Sequence, residues 1–431
     1  MSKPEAHDSY DPLTPVPQAS RIFDGRDAFS LWFSLGIGLL VLQAGALLVP
    51  GLSLGAALAA ILVGTGFGAL LLAAAGVVGS DTGLSAMGSL RPTLGLRGAA
   101  IPAVLNLVQL AGWGAFEIVV MRESANTLSR QTFGVSSPIL WTVLFGIVAT
   151  WLAVLGPLSV VRRILRNWGL WLLLAGALWL TWQLLSRHDL VALFQRPGNG
   201  TMSFAGAVDL VIAMPLSWLP LIADYTRFGR TSGAMFRGSA VGYLIANVWF
   251  YALGASYSLI AGGGDALLAA LATAGGGIAL ILILIDETDN AFADIFSAAV
   301  STGTLVPVRV PRLALGYGVL CTVIAILIPP TSYENFLLLI GSVFAPLFGI
   351  LLADHFIIRR RRIDAGAVRA RDGAYWFSGG WHLRGLIAWL VGIATYQVAS
   401  NLWPEIGATL PSIAIAVICY VALMRGRRSR Q

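Results

Sequence analysis

The sequence predicts an all-α integral membrane protein of twelve transmembrane helices, the first ten as two inverted five-helix repeats and the last two outside them. Three observations carry this. The 431 residues are 57% hydrophobic and only 11% charged, with a mean hydropathy of +0.79, which is more apolar surface than a soluble domain hides. The positive charges fall almost wholly on one side of the expected membrane. The first and sixth apolar spans are both interrupted, five spans apart.

Apolar spans are expected at 29–49, 54–78, 96–120, 138–155, 168–185, 204–223, 239–260, 276–300, 313–328, 336–357, 383–400 and 410–423. The ninth is the shortest for a bilayer core and the first that would be lost. Residues 1–28 are polar and lack the short apolar core of a signal peptide, so they read as a cytoplasmic tail. Residues 29–424 then form one transmembrane domain: repeat one over about 29–186, repeat two over about 203–357, and extra helices over about 383–424. Residues 425–431 form a basic tail.

Orientation follows from the arginines. With the N-terminus inside, all 28 Lys and Arg except Arg122, Arg130, Arg187 and Arg196 lie in inner segments. Positive residues concentrate on the cytoplasmic side, so both termini are expected inside, in the cell inner membrane. The basic pI of about 9.8 is thereby a topology signal and excludes nucleic acid as a partner. Arg359 to Arg362 are expected to anchor that face, with membrane lipid as the other partner.

The first span carries Gly36, Gly38 and Gly45 around Gln43, and the sixth carries Pro215 and Pro220 around Ser217 and Trp218. Proline removes a backbone donor and disrupts the preceding turn. Interrupted spans at matching positions of two halves point to a transporter binding site. Five helices per half is an odd number, so the second half must enter from the opposite face. By contrast, Gly64, Gly66 and Gly68 sit inside an apolar helix and read as small-residue packing.

The eighth span is the most unusual. It holds Asp286, Glu287, Asp289 and Asp294 between aliphatic and small residues, with no Lys or Arg among them. Helical spacing puts Asp286, Asn290 and Asp294 on one face, flanked by Glu287 and Asp289. Ionisable groups at membrane depth mark functional paths, and four acids without a base point to a cation. The competing reading, a solvated break between two short helices, is opposed by the absence of Pro, and of Gly between 278 and 301. In the third span, Trp113 and Glu117 are i, i+4 neighbours. An indole face and a carboxyl group together suit a flat, nitrogen-rich ring, and Trp218 supplies a second indole.

These residues carry a resemblance that runs along most of the chain. Gly83-Leu84 through Arg91, Gly95 and Gly98-Ala99, then Gly112-Trp113-Gly114, Asp224-Tyr225-Thr226-Arg227-Phe228, Asp289-Asn290-Ala291 and the run from Phe344 to Phe356 resemble the nucleobase–cation symporters. These are the cytosine, purine, hydantoin and allantoin permeases, with a hydroxymethylpyrimidine branch. The resemblance implies a fold of the leucine-transporter type, with substrate between helices one, three, six and eight. It implies Trp113 and Trp218 as stacking partners, and Gln43, Glu117, Ser217, and Asn290 or Asp294 as the polar set. It also implies a sodium site from Leu39, Leu42 and Ile285 carbonyls with Thr288 and Asp289.

Two positions depart from that pattern. Asp289 stands where a hydroxyl occurs in some members, which leaves Na+ and H+ open as the coupling ion. Glu117 replaces an amide found in some members and favours an amino-bearing ring: cytosine or the hydroxymethyl-aminopyrimidine precursor of thiamine, with purine, allantoin or hydantoin as alternatives. No cofactor is expected, and a monomer is the expected state. The rival from another class is an intramembrane Mg-dependent enzyme, because Asp286-x-x-Asp289 resembles the aspartate-rich motif of membrane prenyltransferases. Diphosphate chemistry needs Mg²⁺ ligands and basic partners at depth. One acidic cluster without a base argues against it.

Overall fold

A computed structural model describes residues 11–262, 278–327 and 333–425, side chains aside at 278–280, 282, 283, 285, 286 and 333–335. Among them only helices are extended elements, and two isolated bridges are the sole strand-like pairings. The first expected span is two half-helices, α1 (Gly25–Ser34) and α2 (Leu39–Leu47), bent by 60°. Gly38 makes the break, its φ of 141° lying where side-chain-bearing residues rarely go. Then follow α3 (Leu54–Thr82), α4 (Ala100–Phe133), α5 (Pro138–Leu155) and α6 (Pro157–Arg187).

The sixth span is α7 (Phe204–Ser217) and α8 (Leu219–Thr226), meeting at Trp218. Next come α9 (Ser232–Ala261), α10 (Ile278–Gly303), α11 (Val310–Leu327) and α12 (Tyr333–Leu352). The chain closes with α13 (Leu383–Leu402) and α14 (Thr409–Arg425). Nine helices among the described residues are long and apolar enough to cross a membrane, or ten with the bent pair. Outside that count, α10 carries the acids and α14 is 17 residues long. They occupy the places of the expected eighth and twelfth spans, and α11 that of the ninth.

Two groups of helices face each other. α9 packs along α1, α2 and α3, and α7 and α8 lie on α3; α10 packs along α4, with α5 and α11 beside them. α13 and α14 pair outside, on α12. The acidic span is one continuous helix, so Glu287, Asp289 and Asp294 stand buried on a helix and not in a loop. α4 runs 34 residues, about 50 Å at the helical rise. Arg122, expected in an outer loop, therefore lies inside a helix, buried, with Nη1 donating to the Ala325 carbonyl at 2.8 Å.

The segments on the arginine-rich face are tied down. Val16 N–H donates to Gly83 O at 3.0 Å, Phe23 N–H to Phe228 O at 2.9 Å, and Arg230 N–H back to Phe23 O at 2.9 Å. What reads as a tail is, from residue 11, a strap. Asp354 accepts from Thr93 Oγ1 at 3.0 Å, Arg359 Nε at 2.7 Å and Tyr420 OH at 2.8 Å. This bonds the end of α12 to α14 and to the turn before α4.

α2 and α9 cross closely: a Cβ on Gly254 would sit 1.9 Å from the Leu42 carbonyl oxygen. Gly254→Ala should overpack that contact and cost about 1–3 kcal/mol. Gly66→Ala, with nothing within 4 Å, should be neutral. Thermal unfolding of the two detergent-solubilised variants checks this; equal melting temperatures would contradict the crossing.

Candidate substrate and ion site

The breaks place unwound backbone at membrane depth, where every peptide group needs a protein partner. Between the two helix groups lies a cavity lined by Leu35, Ile37, Gly38, Leu40 and Val41 from the first break, and Met214, Ser217 and Trp218 from the second. Trp113 and Glu117 from α4 and Asn290 and Asp294 from α10 complete it. Six of the seven residues expected to meet substrate thus line one cavity. Gln43 does not line it; it is half-buried on α2. The open space is about 20 Å³, room for roughly one water. A ring enters only when side chains or half-helices move.

The two indoles do not stack on each other. Trp218 meets Trp32 edge-on, with centroids 6.2 Å apart, and Trp113 meets Phe336 of α12 edge-on at 5.2 Å. Asn290 Nδ2 donates to Ile37 O at 3.4 Å, bonding α10 to the first break. Trp113 Nε1, Asn290 Oδ1 and Asp294 Oδ2 are buried with no hydrogen-bond partner among the described residues. Each such atom costs about 1–3 kcal/mol, a cost removed when a ligand with a complementary edge arrives.

Glu287 is the functional residue that sequence reasoning left on the flank of the acidic face. It is fully buried, and its Oε1 accepts the Leu39 N–H at the first turn of α2. Half-helix N-termini carry unpaired N–H groups and positive potential, so a carboxylate there is favoured. Glu287 also lies within hydrogen-bond reach of Glu117 and Asn290. A bond between two carboxyl groups needs a proton on one of them. Its place in an acidic run was the only signal in the sequence; its partner Leu39 is 248 residues away.

The residues of the expected cation site each meet a different neighbour. The Leu42 carbonyl abuts Gly254 of α9, and Thr288 Oγ1 donates to Leu284 O at 2.9 Å. Asp289 is buried beside Ser34 of α1. Leu39 meets α10 through Glu287, and the backbone of Ile285 lies in α10.

Paired half-helices around a small, largely apolar cavity with a few convergent polar groups define a secondary transporter. The chain belongs to the permease family for cytosine and purines, uracil, thiamine and allantoin, whose sequence model matches residues 15–419. It is 23% identical to the hydantoin permease of Microbacterium maritypicum over 95% of this chain and 88% of that one. It is 25% identical to the cytosine permease of Escherichia coli K12, over 80% and 81%. Among solved structures it is similar to Mhp1, a nucleobase-cation-symport-1 transporter, in a closed conformation with bromovinylhydantoin bound. That match has a TM-score of 0.85 at 19% identity and covers 96% and 94% of the two chains. Its resemblance to inward-facing Mhp1 has a TM-score of 0.81 at 19% identity, over 97% and 93%. The protein is a transporter, and the enzyme reading falls.

If Glu287 closes the first break, Glu287→Ala should weaken substrate binding roughly tenfold or more, the scale of a lost charge-assisted bond. Glu287→Gln, which keeps an acceptor for Leu39 N–H, should retain most of it. Equilibrium binding to purified variants decides; identical losses in both would show that the acceptor is not what matters.

Proposed function

We propose that this permease imports an amino-bearing pyrimidine together with a cation, by alternating access about the cavity between α2, α4, α7–α8 and α10. The arginine distribution supports an inner-membrane protein with both termini cytoplasmic. The observation that carries the substrate class is Glu117 at the cavity wall, beside Trp113. A protonated carboxyl group donates to a ring nitrogen and accepts from the neighbouring exocyclic amine, the edge that cytosine and hydroxymethyl-aminopyrimidine present. Rings with carbonyls flanking N–H suit an amide equally well. The cavity lining contains no Lys or Arg, so phosphorylated compounds should be refused there.

Trp113 and Trp218 supply stacking faces, with Ser217, Asn290 and Asp294 as polar contacts. Gln43, which lies outside the contracted cavity, would reach the ring only if α2 shifts. Coupling is assigned to Asp289 with Thr288 and the carbonyls of Leu39, Leu42 and Ile285, because hard cations take several oxygens. Na+ and H+ are both compatible with a carboxylate there. In this reading the transporter is a monomer and needs no cofactor.

Three outcomes follow. Cytosine and hydroxymethyl-aminopyrimidine should outcompete uracil and hydantoin for the wild type, and Glu117→Gln should change that ranking; competition binding reads both, and an unchanged ranking sinks the assignment. Trp113→Ala and Trp218→Ala should each weaken binding by about 1–3 kcal/mol, measured by quenching of tryptophan fluorescence. Asp289→Ala should lose ion-stimulated uptake in liposomes while still folding. Normal sodium and pH dependence in that variant would move the coupling site elsewhere.

A further inference from the structure

A second cavity, of about 510 Å³, opens on the arginine-rich face away from the substrate site. Its walls are the start of the strap (Asp11 to Leu13), the α10–α11 connection from Gly303, and three arginines: Arg91, Arg309 and Arg369. Asp11 is the one carboxylate among the lining residues. Arg91 is half-buried and, among the described residues, donates only to neutral carbonyls, Val368 O at 3.0 Å and Thr304 O at 3.0 Å. Burial, and then the charge of Arg369 beside it, push its guanidinium down to about 10. The first turn of α11, an 18-residue helix, closes the wall with its N-terminal end.

The charge on this wall is unbalanced, and what balances part of it comes from the strap. Both Asp11 carboxylate oxygens sit on Arg369 Nη2, in a pair 51% and 37% exposed. Burial alone would raise the Asp11 carboxyl, but the hydrogen bonds from Arg369 and from Leu13 N–H outweigh it and hold it below the usual carboxylate range. An exposed pair of this kind is worth little, so another anion can displace it. Arginine suits a phosphate group best, through several parallel N–H donors. The volume matches small-ligand pockets in general.

We propose that this cavity binds a phosphate group, carried by a small soluble ester or by a lipid headgroup, in competition with Asp11 for Arg369. Occupancy detaches the Asp11 end of the strap, which is otherwise bonded to Arg227 Nη1 through the Asp11 carbonyl at 3.1 Å. The site is separate from substrate recognition and does not rest on which ring is carried.

The test uses full-length purified protein, with inorganic phosphate and pyrophosphate as soluble probes and chloride at matched ionic strength as control. The lipid arm compares nanodiscs of phosphatidylcholine with and without phosphatidylglycerol. Pyrophosphate should bind the wild type, as read by calorimetry and by a rise in melting temperature. Arg369→Ala should weaken it roughly tenfold or more, and Asp11→Asn should tighten it a few-fold by removing the competitor. Both positions are partly exposed, so the variants should fold, and a melt without ligand confirms it. A response only to phosphatidylglycerol, with the same dependence on Arg369 and Asp11, supports the lipid source. No response from a folded protein to either probe, or one unchanged in both variants, overturns the proposal.

Discussion

The bond between the Leu39 N–H and the Glu287 carboxylate is the contact around which the centre of the molecule is arranged. A helix that stops at mid-membrane leaves N–H groups with no water to satisfy them. The first span stops there because Gly38 permits a φ of 141°, and the freed end is met by a carboxylate from the other helix group. α10, packed along α4, is bonded to the first break by that contact and by Asn290 at the Ile37 carbonyl, with Glu287 within hydrogen-bond reach of Glu117.

The arrangement also gives three of the acids of α10 different places. Glu287 supports the broken backbone, Asp294 lines the cavity with an unpaired oxygen, and Asp289 sits beside Ser34 across the groove between helix groups. Structural support and ligand capacity therefore share one helix face, and movement of α10 relative to α2 changes both. Such coupling is what a transporter that closes around its cargo requires. The contraction of the cavity to about 20 Å³ belongs to the same geometry, since helices held this close leave little space.

A different design operates at the arginine-rich face. There, beside the buried Asp354 cluster, stand a more exposed ion pair and backbone bridges: Asp81 accepts from Arg361 Nε at 2.7 Å and from Nη2 at 2.6 Å, and the strap is bonded to Gly83 and Phe228. Contacts of this type are individually weak and exchangeable in water. A face built from them opens and recloses at lower cost than the buried centre. It also presents arginines to whatever anions lie beyond it.

Composition, charge asymmetry and the spacing of breaks were enough to read the helical class, the order of the spans and most of the cavity. Trp113, Glu117, Ser217, Trp218, Asn290 and Asp294 all line it, because their roles depend on local facts: an i, i+4 face, a proline-broken turn, an acid in an apolar run. What the sequence could not show was pairing across distance. Glu287 was visible as an acid but not as the cap of α2, Arg122 was visible as a base but not as a buried donor to α11, and residues 11–24 were visible as polar but not as a strap. Gln43 sits on the broken helix yet off the cavity, which Leu40 and Val41 of the same helix line. Hydrophobic periodicity records which residues avoid water. Which backbone group an isolated carboxylate satisfies is decided only when two helices meet.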